Sequence, residues 1–350
     1  MIFSICRFTA SLNCQFARRL FLRAGYTTFV AIGYLFFKKF GNSFLGGDSC
    51  FPAKIFYPTF SMKAALIKLH FAILLAGFTA ILGKLISLNE ASLVWWRLII
   101  TVVVMWGWLF LGKKRPAYAN GIKLSVLGIG AIVGLHWLCF FGSVKYANVS
   151  IALVCFSSAG FFSALLDPII SKRKFKMAEL LLGVLSMAGI YIIFHFDAQY
   201  KTGIILGVFA AALSAVFSIL NKKYVQQMDG ISMTAYEMLG AFAMLSCVLP
   251  FYLRFGNAGF LPVGWDWLWL CILSIVCTVW AFILQLQSLK FISAFTLNLS
   301  YNLEPVYGII LAFIFFKENE QLSSKFYIGV LLILLSIVLQ MWRVWKQRKK

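Results

Sequence analysis

The sequence predicts an all-α integral membrane protein with ten transmembrane helices arranged as two inverted five-helix repeats. Three observations lead there. The 350 residues are 62% hydrophobic and only 12% charged, a balance outside that of soluble globular domains. From Met62 onward, ten apolar segments alternate with short polar breaks, near 69–88, 93–111, 122–142, 149–170, 177–196, 203–220, 231–253, 265–287, 294–316 and 326–345. About 20 helical residues cross the hydrocarbon, and only helices or closed barrels satisfy their backbone there. The alternation that barrel strands require is absent. Finally, five segments per half is an odd number, so the second half enters from the opposite face.

Residues 1–61 differ in pattern from the ten segments. Their one apolar run, Ala24–Phe37, lies between Arg18, Arg19, Arg23 and Lys38, Lys39 and is short for a span. An interfacial helix, an uncleaved anchor and an untranslated upstream extension are all open readings. Met62 followed by KAALIKLHFAILLAG reads as a start and favours the third. A first repeat is expected over 62–196 and a second over 203–346.

The net charge of +21 raises a nucleic-acid reading, but the basic residues fall in clusters between apolar runs, which is the membrane pattern. No nucleic-acid partner is expected. Lys113, Lys114 and Arg115 follow the second segment, Lys172, Arg173, Lys174 and Lys176 the fourth, Lys222 and Lys223 the sixth, and Lys290 the eighth. Arg343, Lys346, Arg348, Lys349 and Lys350 close the chain. The alternate loops hold chiefly Lys145, Lys201, Arg254 and Lys317. This asymmetry puts both termini in the cytoplasm, here of a bacterial inner membrane. The eight cysteines show neither a CxxC pair nor metal spacing, so no metal site is expected. No nucleotide motif appears either: the glycines of GIGAIVG (128–134) lie inside an apolar segment and permit close helix packing. No cofactor is expected.

The ninth segment, AFTLNLSYNLEPVYGIILAFIFF (294–316), carries Asn298, Tyr301, Asn302 and Glu304 at mid-depth, with Pro305 next to the acid. An acid at the bilayer centre costs roughly 2.5–3.5 kcal/mol on insertion scales for charged residues, so it points to a polar cavity rather than to lipid. Pro305 leaves the Tyr301 carbonyl without its helical partner and kinks the segment. Asn298, Tyr301 and Asn302 share one helical face, with Glu304 about one-sixth of a turn past Tyr301. Glu304 is therefore the expected ionisable centre, its protonation linked to substrate occupancy.

Other candidates carry two readings each. Arg97 in LVWWRLII is a snorkelling arginine beside Trp95 and Trp96, or a cavity cation that holds an anionic group. His136 in GLHWLCFFGS is a neutral histidine bonded to a neighbouring helix, or a cavity member. Glu237 is an interfacial acid or a second cavity group, and Lys84 is read as a snorkelling end residue. A shift of 145 residues lays the fourth segment on the ninth, with Ala159-Gly160 opposite Glu304-Pro305.

With WWRLII in the second segment, LEPVYGIILAFIFFKE in the ninth and two five-helix halves, the chain resembles the EamA-type family of the drug/metabolite transporter superfamily. The resemblance covers about Met62 to Lys346. The first half departs from the pattern: Gly160 takes the proline position, and Arg173 stands where the second half has Glu318. The resemblance implies alternating-access transport of a small-molecule solute, often export of amino acids or other metabolites. The expected function is thus a secondary transporter in the lipid bilayer, with a proton as the candidate coupled ion, and not an enzyme. A lipid-carrier flippase or a non-transporting scaffold is the alternative.

The orientation is testable with Lys114→Cys and Arg348→Cys in a cysteine-free background. An impermeant thiol reagent should leave both unlabelled on intact cells and label both after permeabilisation. Labelling of either from outside reverses the topology.

Overall fold

The computed structural model describes residues 62–112, 122–196, 198–255, 259–301 and 303–347. The expectation for residues 1–61 lies outside the described residues, and so does the loop holding Lys113, Lys114 and Arg115. Among the described residues there is no strand. The helices are α1 (Met62–Leu85), α2 (Glu90–Leu111), α3 (Ile122–Tyr146), α4 (Val149–Phe156), α5 (Ala159–Ile170), α6 (Met177–Phe196), α7 (Lys201–Tyr224), α8 (Gly230–Phe255) and α9 (Asp266–Cys271). A π-helical stretch, Ile272–Trp280, then leads into α10 (Ala281–Leu289), followed by α11 (Ala294–Tyr301), α12 (Glu304–Phe316) and α13 (Ser324–Gln347).

Seven stretches are long and apolar enough to cross a membrane: Ala64–Leu85, Glu90–Leu111, Ile122–Tyr146, Val149–Ile170, Lys201–Tyr224, Gly230–Arg254 and Asp266–Leu289. Met177–Ile193, Glu304–Phe316 and Ser324–Leu339 are apolar but shorter. By length and composition the described chain meets seven of the ten expected spans. The ninth is divided: α11 ends at Tyr301 and α12 begins at Glu304, with Asn302 between them outside the described residues. The expected kink at Pro305 is therefore a break, and the proline stands in the first turn of α12, where a missing N–H has no helical acceptor to lose.

The fourth segment is broken in the same register. A displacement of 145 residues places Val149 on Ala294, Phe156 on Tyr301 and Ala159 on Glu304, the bounding residues of α4, α11, α5 and α12. No proline makes the first break. Instead Ser157 and Ser158 turn their hydroxyls back to the carbonyls of Val154 and Cys155, at 2.6 and 2.7 Å. Such side-chain bonds offer the backbone an alternative to helical pairing. The two broken segments cross: α4 packs on α12 and α5 on α11, so they run antiparallel. A Cβ at Gly308 of α12 would overlap the Leu153 side chain of α4, so glycine sets how closely the segments approach.

The remaining contacts pair up in the same manner. α1 packs on α10 as α7 packs on α3, α2 packs on the π-helical stretch as α8 packs on α3, and α2 meets α8 while α6 meets α13. At Gly130 of α3 the Glu237 carbonyl of α8 comes so close that a Cβ would collide with it.

Polar side chains tie one end of the bundle together. Glu318, fully buried after α12, takes Lys84 Nζ at 2.7 Å, the Val149 and Ser150 amides at 3.1 and 2.9 Å, and the Ser150 hydroxyl at 2.7 Å. Its carboxylate thus lies at the N-terminus of α4, where the helix dipole favours negative charge. Lys84 is held in this pair rather than snorkelling, because the carboxylate it meets comes from a distant element. Nearby, Lys145 Nζ donates to the Ile86 carbonyl, Asp266 accepts from the Ser87 amide at 2.9 Å, and Tyr252 bonds Glu90. Among these, Glu318 satisfies the most partners. Glu318→Ala should therefore destabilise the detergent-solubilised protein by about 1–3 kcal/mol, the cost of leaving the buried Val149 and Ser150 donors unpaired, read as a lowered thermal midpoint. Glu320→Ala at an exposed neighbour should leave it unchanged.

Candidate functional site

A cavity of about 70 Å³ lies where the broken ninth segment meets α1, α2, α3, α7 and α10. The ninth segment contributes Asn298, Tyr301 and Glu304. Helix α2 contributes Arg97 and α3 contributes His136, Trp137 and Phe140. Of the sequence candidates, Arg97, His136, Asn298, Tyr301 and Glu304 all line this one space. Asn302 lies outside the described residues.

Arg97 does not snorkel: it is 2% exposed. Helix α2 begins at Glu90, capped by Asn89, whose side chain accepts from the Ser92 amide. That start sits three residues earlier than the apolar pattern implies, so Arg97 lies deeper than its sequence position suggests. Its Nε donates to Thr278 Oγ1 at 2.7 Å, and its guanidinium carbon stands 3.8 Å from the centre of the Trp137 ring. Thr278 belongs to the π-helical stretch and also donates to the Leu273 carbonyl at 2.6 Å. A π-turn of this kind re-aims side chains and recurs at functional sites.

His136 satisfies both of its readings. Its Nδ1–H donates to the Ala210 carbonyl of α7 at 2.8 Å while the ring faces the cavity between Phe156 and Phe217. The bond places a proton on Nδ1. Asn298 joins three elements: its Nδ2 donates to Ser163 of α5 at 2.5 Å, and its Oδ1 accepts from Ser218 of α7 at 3.1 Å. The Tyr301 hydroxyl donates to Gln285 Oε1 at 3.0 Å. Glu304 is 3% exposed and forms no ion pair within 4.0 Å among the described residues. As the first residue of α12 it benefits from the exposed N–H groups of that helix end.

Glu237 fits neither of its expected places. It is fully buried, does not line the cavity, and leaves both carboxylate oxygens without a hydrogen bond. The tight α3–α8 crossing at Gly130 encloses it where the apolar pattern suggests an interface. Sequence reasoning missed Thr278, Cys277 and the aromatic wall of Trp137, Phe140, Phe156, Phe217 and Phe282. The run HWLCFF beside His136 was the one available signal, and with 17% aromatic residues in the chain it does not stand out.

A bundle of long apolar helices closed around a buried polar cavity defines a multi-pass membrane protein. The EamA-like transporter family model matches residues 63–195 and again 201–342, and the chain belongs to that family. It is 26% identical over 266 residues to an uncharacterized transporter of Archaeoglobus fulgidus, across 73% of this chain and 89% of that one. It is 23% identical over 297 residues to the uncharacterized transporter YxxF of Bacillus subtilis, across 82% and 93%. A solved crystal structure matches with a TM-score of 0.58 at 19% identity, covering 79% of this chain and 96% of the other; at that identity it shows the fold alone. The protein is a membrane transporter.

Because Asn298 bridges α5, α7 and α11, Asn298→Ala should leave Ser163 and Ser218 without that partner. The expected cost is about 1–3 kcal/mol, read as a lower thermal midpoint in detergent. An unchanged midpoint would mean the two serines find other partners.

Proposed function

We propose that the chain is a secondary transporter that moves a small metabolite, such as an amino acid, across a bacterial inner membrane by alternating access, with export favoured. In this reading ten spans form two inverted repeats, 62–196 and 203–346, with both termini cytoplasmic. The three shorter apolar helices occupy the fifth, ninth and tenth places in that order. The family model's two matches and the shared break register support the repeat, and the antiparallel crossing of the broken segments supports its inversion. The observation that carries the function is the cavity at the break before Glu304. Irregular backbone at membrane depth is tolerated where it lines a cavity, and sites between transporter repeats are built this way.

Without a nucleotide motif, the energy comes from an ion gradient or from the solute's own gradient. Glu304 is the ionisable group in the cavity whose carboxylate has no ion-pair partner, and it serves as the proton carrier of the cycle. Rocking of one repeat against the other then exposes Glu304 to each side in turn. Glu304→Gln keeps shape and hydrogen bonding while removing titration. In proteoliposomes screened for counterflow with radiolabelled amino acids, the Gln variant should insert normally, lose the pH dependence of transport and lose transport driven by a proton gradient. A variant that keeps the wild-type rate and pH dependence would make Glu304 structural.

A further inference from the structure

The Arg97 guanidinium carries five N–H donors in a rigid fork, and among the described residues only Nε is used, on Thr278. Nη1 is fully buried and has no partner. None of the described ion pairs includes Arg97. The Trp137 ring, at 3.8 Å from the guanidinium carbon, stabilises the cation through the face of its π-system. That contact consumes no N–H, so the remaining donors stay free along the guanidinium edge. Thr278 and Trp137 therefore hold the group in place without neutralising it. A cation desolvated in this way without a counter-charge is costly in a membrane interior. A guanidinium held through Nε, with its other donors unpaired, is a charge-assisted hydrogen-bond partner for an oxyanion.

The rest of the cavity limits what is attached to that oxyanion. Phe140, Phe156, Phe217 and Phe282 give it apolar walls, and a volume of about 70 Å³ restricts it to a small molecule. We infer that Arg97 is a carboxylate subsite, and that the solute is a small organic anion with a carboxylate on the guanidinium and a short apolar tail against the phenylalanines. This rests on reading the cavity as the solute site, and it adds the charge and size of the head group.

Isobutyrate and its neutral isostere isobutyramide make a matched pair of probes. Titrated into the purified full-length protein in detergent and followed by calorimetry and by Trp fluorescence, isobutyrate should bind at least about tenfold more tightly than isobutyramide, a difference of about 1.4 kcal/mol. Arg97→Gln should abolish the preference. Because a buried arginine is a severe site to change, Thr278→Val provides a second variant: it frees Nε but keeps the charge, and should weaken isobutyrate several-fold while leaving isobutyramide unchanged. Equal binding of the two probes, binding of neither, or a wild-type preference in Thr278→Val together with any folded Arg97→Gln would overturn the assignment. Counterflow of a neutral or cationic solute, with no preference for the carboxylate, would also overturn it and would leave the transporter reading standing.

Discussion

The structure depends on one constraint: inside a bilayer every backbone N–H and C=O must find a partner within the protein. An unpaired group there costs several kcal/mol, so a spanning helix can be interrupted only where other protein covers the gap. Among the described residues the fourth and ninth segments are interrupted, and the helices flanking the two breaks pack on one another. Leu153 of α4 closes against Gly308 of α12, and Ser163 of α5 bonds Asn298 of α11. Ser157 and Ser158 return hydroxyl bonds to the preceding carbonyls, while Pro305 has no donor to leave unpaired. The cavity lies beside the second of these breaks, where Glu304 starts a new helix.

That arrangement explains why so few charges suffice. Glu318 is the counterweight at one end: it caps α4, pairs with Lys84 and so ties α1, α4 and the end of α12 at a single point. Arg97 and Glu304 have no such partner in the interior. Each lines the same small space, and the two do not meet within ion-pair distance. The π-helical stretch fits the same logic, since its irregular turn points Thr278 at Arg97.

Much of this was legible in the sequence, for physical reasons. Apolar length is a local property, so the apolar helices and their order could be read directly. Glu304-Pro305 announced itself because an acid and a proline in an apolar run have few explanations. The break at Ser157–Ser158 did not, since Ser-Ser-Ala-Gly also fits an unbroken membrane helix. Lys84 was misread as snorkelling, and Arg97 and Glu237 were ambiguous, because their surroundings come from elements far away in the chain. Lys84 meets Glu318 across 234 residues and Arg97 meets Thr278 across 181. Nothing local to Glu237 reveals that a glycine on α3 lets the helices close over it.

The central claim is that solute passes through the cavity beside Glu304. Cys277 lines that cavity and offers a direct test. The protein, with every other cysteine replaced by serine, is reconstituted into proteoliposomes and alkylated with a small membrane-permeant reagent, with modification of Cys277 confirmed by mass spectrometry. Solute counterflow should then fall to background, whereas the matched Cys277→Ser protein should be unaffected by the reagent. Wild-type counterflow with Cys277 fully alkylated would place the path elsewhere and contradict the account.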